Sequence, residues 1–158
     1  MKTSKSLTPG KSGSDPLMAI LCAGEMSGVC SWGSMPDPTW IDLIRKGLPG
    51  ESVATLARKI NVPQKDLAGW LHTTPRTLQR HIMAKSILSP DLSDRLMQLI
   101  RIFCRAKEVF QDDAKASFWL KSPNYALGDK APTALLDTIL GTELVLDELG
   151  RIEHGIFI

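Results

Sequence analysis

The sequence predicts an all-α fold, and three observations carry that expectation. From Thr39 onward the apolar residues recur at i, i+3, i+4 and i+7, the spacing of one helix face. Ser, Thr, Asp and Pro stand where those periodic segments begin and Gly where several end, the usual start and stop chemistry of helices. No segment alternates apolar and polar residues over the length of a strand. Of the 158 residues, 43% are apolar and 23% charged, an ordinary globular balance.

The elements follow in order. Residues 1–38 are rich in Ser, Gly, Pro and Thr without sustained periodicity, and are expected to be mostly disordered. Gly10-Lys11-Ser12 imitates the end of a phosphate-binding loop, but Lys5 stands where that motif requires glycine. The longest apolar run, Leu17 to Ala23, falls well below the roughly 20 residues of a membrane span, and it follows Asp15-Pro16 too late for a good signal-peptide core. Thr39 to Lys46 reads as a short helix stopped by Gly47. Glu51 to Ile60 places Val53, Leu56, Ala57 and Ile60 on one stripe. Pro63 suits the first turn of a helix with Leu67 and Leu71 inside, and Thr74 caps another that opens with Pro75 and buries Leu78 and Ile82. Asp91 to Phe110 is the longest helix, with Leu92, Leu96, Leu99, Phe103, Ala106 and Phe110 on one side. A helix from Asp112 to Leu120, a turn-rich loop "KSPNYALGDKAP", and helices over 132–138 and 142–154 complete the set.

Charge is unevenly placed. Residues 51–110 hold ten basic against five acidic side chains, and residues 111–158 hold four against eight. A basic middle beside an acidic end suits two surfaces with different partners. Cys22, Cys30 and Cys104 form no CxxC pair and show no zinc spacing with His72, His81 and His154. They fit the thiols of a cytoplasmic protein, and no metal or other cofactor is called for.

"PQKDLAGWLHTTPRTLQRHI", residues 63–82, resembles a helix-turn-helix of the Xre/Cro kind, with Leu67, Ala68, Leu71 and Leu78 at its inner positions. Two departures stand out. His72 occupies the turn where glycine is usual, at a positive φ that His tolerates better than most residues. Thr73 replaces an apolar residue. On the outer face of the second helix, Arg76, Gln79 and Arg80 share one stripe with Thr77 beside them. Arginine can bond guanine and glutamine can bond adenine, each pair discriminating by roughly 1–3 kcal/mol, while the basic balance attracts phosphate. The competing expectation is a solvated polar face on a helix used only for dimer packing. The long helix over 91–110 offers apolar surface for a homodimer.

The C-terminal third carries a more extensive resemblance. Trp119-Leu120, Pro123-Asn124, Ala126-Leu127-Gly128, Pro132, Leu135-Leu136-Asp137-Thr138, Gly141 and Leu149-Gly150-Arg151-Ile152-Glu153-His154-Gly155 are similar, in order, to the toxin-binding domain of Xre/MbcA/ParS-type antitoxins. Asp129 departs from the pattern, where members often carry a second glycine. With "RTLQRH", "LSPDLSDRLMQLIRI" and "AKEVF", the resemblance covers about residues 45–158. It implies an Xre/Cro-like helix-turn-helix bundle over 39–110 followed by a small helical toxin-binding domain over 111–158. It further implies an antitoxin, not an enzyme, that covers the active site of a RES-domain toxin consuming NAD or transferring ADP-ribose. Such antitoxins commonly repress their own operon through operator DNA.

The residues fit that implication. An NAD-binding cleft should offer cations, which the acidic third can meet. In the last helix Val145, Leu149 and Ile152 are expected inside, with Glu143, Asp147, Glu148 and Arg151 outward and Asp147–Arg151 an i,i+4 pair. Glu153, His154 and the apolar Ile156, Phe157 and Ile158 should then project beyond the last turn. Burying each apolar residue of that tail would contribute roughly 1.5–3 kcal/mol against roughly 1–2 kcal/mol of backbone ordering. The tail suits either a plug for the toxin's cleft or a fold-back onto the chain's own core. Two other functions stand beside this one. An enzyme finds little support, since Glu153-His154 lacks a nucleophile and Cys104 sits at a polar–apolar helix boundary. A dimeric toxin-binding scaffold whose divergent helix-turn-helix does not touch DNA is the stronger alternative.

Overall fold

The computed structural model describes residues 38–155. The expectations for the N-terminal segment and for Ile156, Phe157 and Ile158 lie outside the described residues. Seven α-helices and two short 3₁₀ turns follow one another, and no strand forms among the described residues. The all-α expectation is borne out. The helices are α1 (Pro38–Lys46), α2 (Glu51–Ile60), α3 (Gln64–Trp70), α4 (Pro75–Met83), α5 (Pro90–Phe110), α6 (Asp113–Lys121) and α7 (Ile139–Glu153), with 3₁₀ turns at Tyr125–Leu127 and Pro132–Leu135 before α7.

The stop at Gly47 and the cap at Thr74 operate as the sequence predicts. Gly47 ends α1 at φ 91°, where its N–H returns to the carbonyls of Leu43 and Ile44. Glycine is required there for space as well. A Cβ would lie 2.3 Å from the Leu88 carbonyl oxygen, because the 47–50 segment runs beside 86–88, with the Leu88 N–H on Leu48 O at 2.8 Å. Thr74, Ser89, Asp112 and Thr138 each accept a backbone N–H of the helix they open, which satisfies donors that have no partner within the first turn.

One boundary expectation fails. A helix over 132–138 and a separate one from 142 were expected, but only Pro132–Leu135 turns, in 3₁₀ form, and α7 begins at Ile139. The cause is Thr138, whose Oγ1 accepts the Gly141 N–H at 3.0 Å and so starts the helix three residues early.

α5 is the spine. α1, α2, α6 and α7 all pack on it. The inner stripes of α2, α3 and α4 (Val53, Leu56, Leu67, Leu71, Leu78) join Leu96, Ile100 and Phe103 of α5 and Ala116, Leu120, Val145 and Leu149 of α6 and α7 in one buried cluster. Cys104 lies inside this cluster, which corrects the boundary placement expected for it.

Candidate functional site

Two surfaces are built on this frame. On the first, α3 and α4 are joined by a turn through Leu71, His72 and Thr73. Ala68, fully buried where the two helices meet, lets them approach closely. His72 adopts φ 52°, the left-handed conformation expected of it. Its ring is also engaged: Nε2–H donates to the Asp137 carbonyl at 2.6 Å, tying the turn to the loop before α7.

α4 then presents Arg76, Gln79 and Arg80, all exposed. Neither arginine pairs with an acidic group among the described residues. Thr77 is placed differently. Its hydroxyl bonds Thr74 Oγ1 at 2.9 Å and its N–H bonds the same oxygen at 3.1 Å, so this half-buried side chain belongs to the helix cap. The three remaining residues form a cationic, amide-bearing stripe that can meet phosphate and base edges.

The second surface lies on α6, the loop after it and α7. Val145 and Leu149 are buried as expected and Ile152 partly so. Glu148 is corrected. It does not face outward but is buried, because α7 turns that side toward the Tyr125–Leu127 turn, where Asn124 Nδ2 reaches Glu148 Oε1 at 3.5 Å. Arg151 accordingly meets Glu148 Oε2 at 3.5 Å instead of the expected Asp147. Glu153 also departs from expectation. It is the last residue of α7, held by Arg105 of α5 through Nη1 to Oε1 at 3.2 Å and Nη2 to Oε2. That bidentate bond raises the pKa of Arg105 against the lowering effect of desolvation, with Glu108 adding to the rise. The fork fixes the end of α7 on α5. His154 Nδ1–H donates to Gly150 O at 2.7 Å, occupying one of the last carbonyls of the helix.

The outward stripe of α7 is therefore Leu140, Glu143, Leu144, Asp147 and Arg151, all exposed. Leu140 and Leu144 are 72% and 55% exposed, and with Phe118 and Tyr125 they are surface residues that the sequence reading missed. A signal was available. α7 contains more apolar residues than one core-facing stripe accommodates, and a helix that is apolar on several sides covers more than one neighbour. Beside it opens a cavity of about 390 Å³ among Phe110, Trp119, Asn124, Tyr125, Glu148 and Ile152. An apolar hollow of about 600 Å³ at Phe110, Ala114, Phe118 and Trp119 adjoins it.

Fold and surfaces together define a helix-turn-helix protein with a second helical unit built on the same long helix. Comparison with known proteins narrows the class. The family description "Antitoxin Xre-like helix-turn-helix domain" matches residues 39–101, and "Antitoxin Xre/MbcA/ParS C-terminal toxin-binding domain" matches residues 105–155. The chain is 30% identical over 115 residues to an Antitoxin Xre of Photorhabdus laumondii, covering 72% of this chain and 78% of that protein. It is 28% identical over 118 residues to an Antitoxin Xre of Yersinia enterocolitica, covering 74% and 80%. A Prs ADP-ribosylating antitoxin of Sphingobium sp. is 25% identical over 126 residues, covering 74% and 79%. The chain belongs to the Xre/MbcA/ParS-type antitoxins. No helix among the described residues is long and apolar enough to cross a membrane.

Proposed function

We propose that this protein is a cytoplasmic antitoxin that neutralises a RES-domain toxin, an enzyme acting on NAD, by covering its active site, and that it represses its own operon by binding operator DNA. The protein contributes binding surfaces and no catalysis. One observation carries the reading: an antitoxin-family chain exposes a cationic stripe on α4 and a separate apolar and acidic stripe, Leu140 to Arg151, on α7. The name of the Sphingobium relative, a Prs ADP-ribosylating antitoxin, supports ADP-ribosyl chemistry in the toxin. Arg76, Gln79 and Arg80 are assigned to DNA. Glu148, Arg151, Glu153, His154, Ile156, Phe157 and Ile158 are assigned to the toxin-binding end, with Glu148 at the wall of a cavity and the exposed Glu153 held by Arg105.

Co-expression with the RES toxin tests the first half. Truncation after Gly150 should abolish neutralisation. Phe157→Asp sharpens this test, since a charge enters a buried cleft only at a cost of several kcal/mol unless paired. Lost toxin affinity at unchanged melting temperature supports a plug, and a lowered melting temperature at unchanged affinity assigns those residues to the chain's own core. The second half is tested by Arg76→Ala/Arg80→Ala, which should weaken promoter binding and reduce the log–log salt slope by about 2 while sparing neutralisation. Promoter binding equal to wild type would instead favour the scaffold reading. A homodimer belongs to the proposal, with Met83 at the end of α4 and Ile87 after it, both strongly exposed, as apolar surface on the helix-turn-helix half. Light scattering should give twice the chain mass at micromolar concentration.

A further inference from the structure

The cavity at Phe110, Trp119, Tyr125 and Glu148 has a chemistry that neither the core nor the surface stripe requires. Its floor is rigid: the Phe110 and Trp119 rings pack 5.6 Å apart at 41°, both against the buried core. One wall is Tyr125, 83% exposed, an aromatic face left in water. Into this apolar setting the fold places a carboxylate. Glu148 is 9% exposed, and its hydrogen bonds, from Asn124 and from Arg151, are both 3.5 Å long. A buried carboxylate demands close, charge-assisted partners, and two long contacts leave it acceptor capacity.

Asn124 joins the two features. Its Oδ1 accepts the Ala126 N–H at 2.9 Å, which fixes the turn carrying Tyr125, while its Nδ2 faces Glu148. Among the described residues the one cation on this carboxylate, Arg151, is itself half-exposed and lies one turn along the same helix, an arrangement weak enough to exchange.

We infer that this cavity is a socket for a guanidinium: an arginine side chain of the partner protein stacks between Tyr125 and Trp119 and pairs with Glu148, displacing Arg151. Arginine fits better than lysine because its planar, weakly hydrated head stacks on aromatic faces and forks onto a carboxylate. The inference rests on the toxin-binding reading, for it supplies that partner's contact, but its chemistry is measurable on the antitoxin alone.

The probe is the peptide acetyl-Gly-Arg-Gly-amide, titrated into the full chain while the Trp119 indole N–H and Tyr125 ring signals are followed by NMR. The neutral citrulline peptide is the control. The arginine peptide should bind saturably, and the citrulline peptide about fivefold or more weakly, since it lacks the charge that the rings and carboxylate attract. Glu148→Gln and Tyr125→Ala should each lose about fivefold or more. The tyrosine is exposed enough that its removal cannot unfold the chain, and Arg151→Ala should bind more tightly. Equal binding of the two peptides, absence of shifts at Trp119 and Tyr125, or full affinity in Glu148→Gln overturns the socket. Neutralisation separates the two claims. If wild type neutralises the toxin and Glu148→Gln does so equally well, the socket fails and the toxin-binding reading stands. If wild type does not neutralise, that reading fails and the peptide titration alone judges the socket.

Discussion

His72 holds a conformation that costs an L-residue roughly 1–2 kcal/mol relative to the right-handed region. The bond from its Nε2–H to the Asp137 carbonyl offsets part of that, at about 0.5–1.5 kcal/mol for a net hydrogen bond. Glycine would relieve the strain but could not make the bond; alanine would keep the strain and lose the bond. Urea denaturation should therefore place His72→Gly within about 1 kcal/mol of wild type and His72→Ala about 1 kcal/mol below it. An alanine variant as stable as wild type would show that the bond contributes nothing. Thr74 is simpler: its Oγ1 accepts the Thr77 N–H, and Thr74→Ala should cost about 1 kcal/mol and loosen the start of the helix assigned to DNA.

Helix α7 contains two glycines whose replacement should have opposite signs. At Gly141 a Cβ would lie 1.9 Å from the Leu135 carbonyl oxygen and 2.9 Å from Thr138 Oγ1. Both atoms belong to the turn that starts the helix and cannot withdraw cheaply. Gly141→Ala should cost about 3 kcal/mol, at the upper end for overpacking, and displace the start of α7. At Gly150 a Cβ meets nothing within 4 Å and the residue is helical, so Gly150→Ala should stabilise by roughly 0.5–1 kcal/mol through helix propensity. Thermal melts of the two variants beside wild type check both signs.

Across the whole molecule, α5 takes part in the packing of both surfaces. Leu149 of α7 is fully buried in the same cluster as Leu71 and Leu78 of the helix-turn-helix. Ser117 Oγ of α6 also donates to Lys59 O at 3.5 Å, and Lys121 Nζ to Asn61 O at 3.3 Å, bonding the second unit to the end of α2. The chain should unfold in one transition, coincident by far-UV circular dichroism and tryptophan fluorescence. Leu149→Ala should lower both signals together by about 2–5 kcal/mol of stability. If only part of the helical signal shifted in that variant, the two halves would be energetically independent.

The sequence by itself determined the family and most of the helices. Apolar stripes at helical spacing, the Thr74 cap, the Gly47 stop and the positive φ at His72 are local properties, readable because each depends on residues within a turn or two. The stripe of Arg76, Gln79 and Arg80 was legible for the same reason. Which side of α7 meets a neighbour was not. Glu148 and Asp147 are adjacent in sequence and equally acidic, yet one is buried and the other exposed, because Asn124, 24 positions away from Glu148, closes over one side of the helix. Arg105 and Glu153 likewise pair across 48 positions. Only the tertiary structure decided these points, since burial and pairing of a helical side chain depend on which elements the chain brings back against it, and that information lies outside the helix's own period.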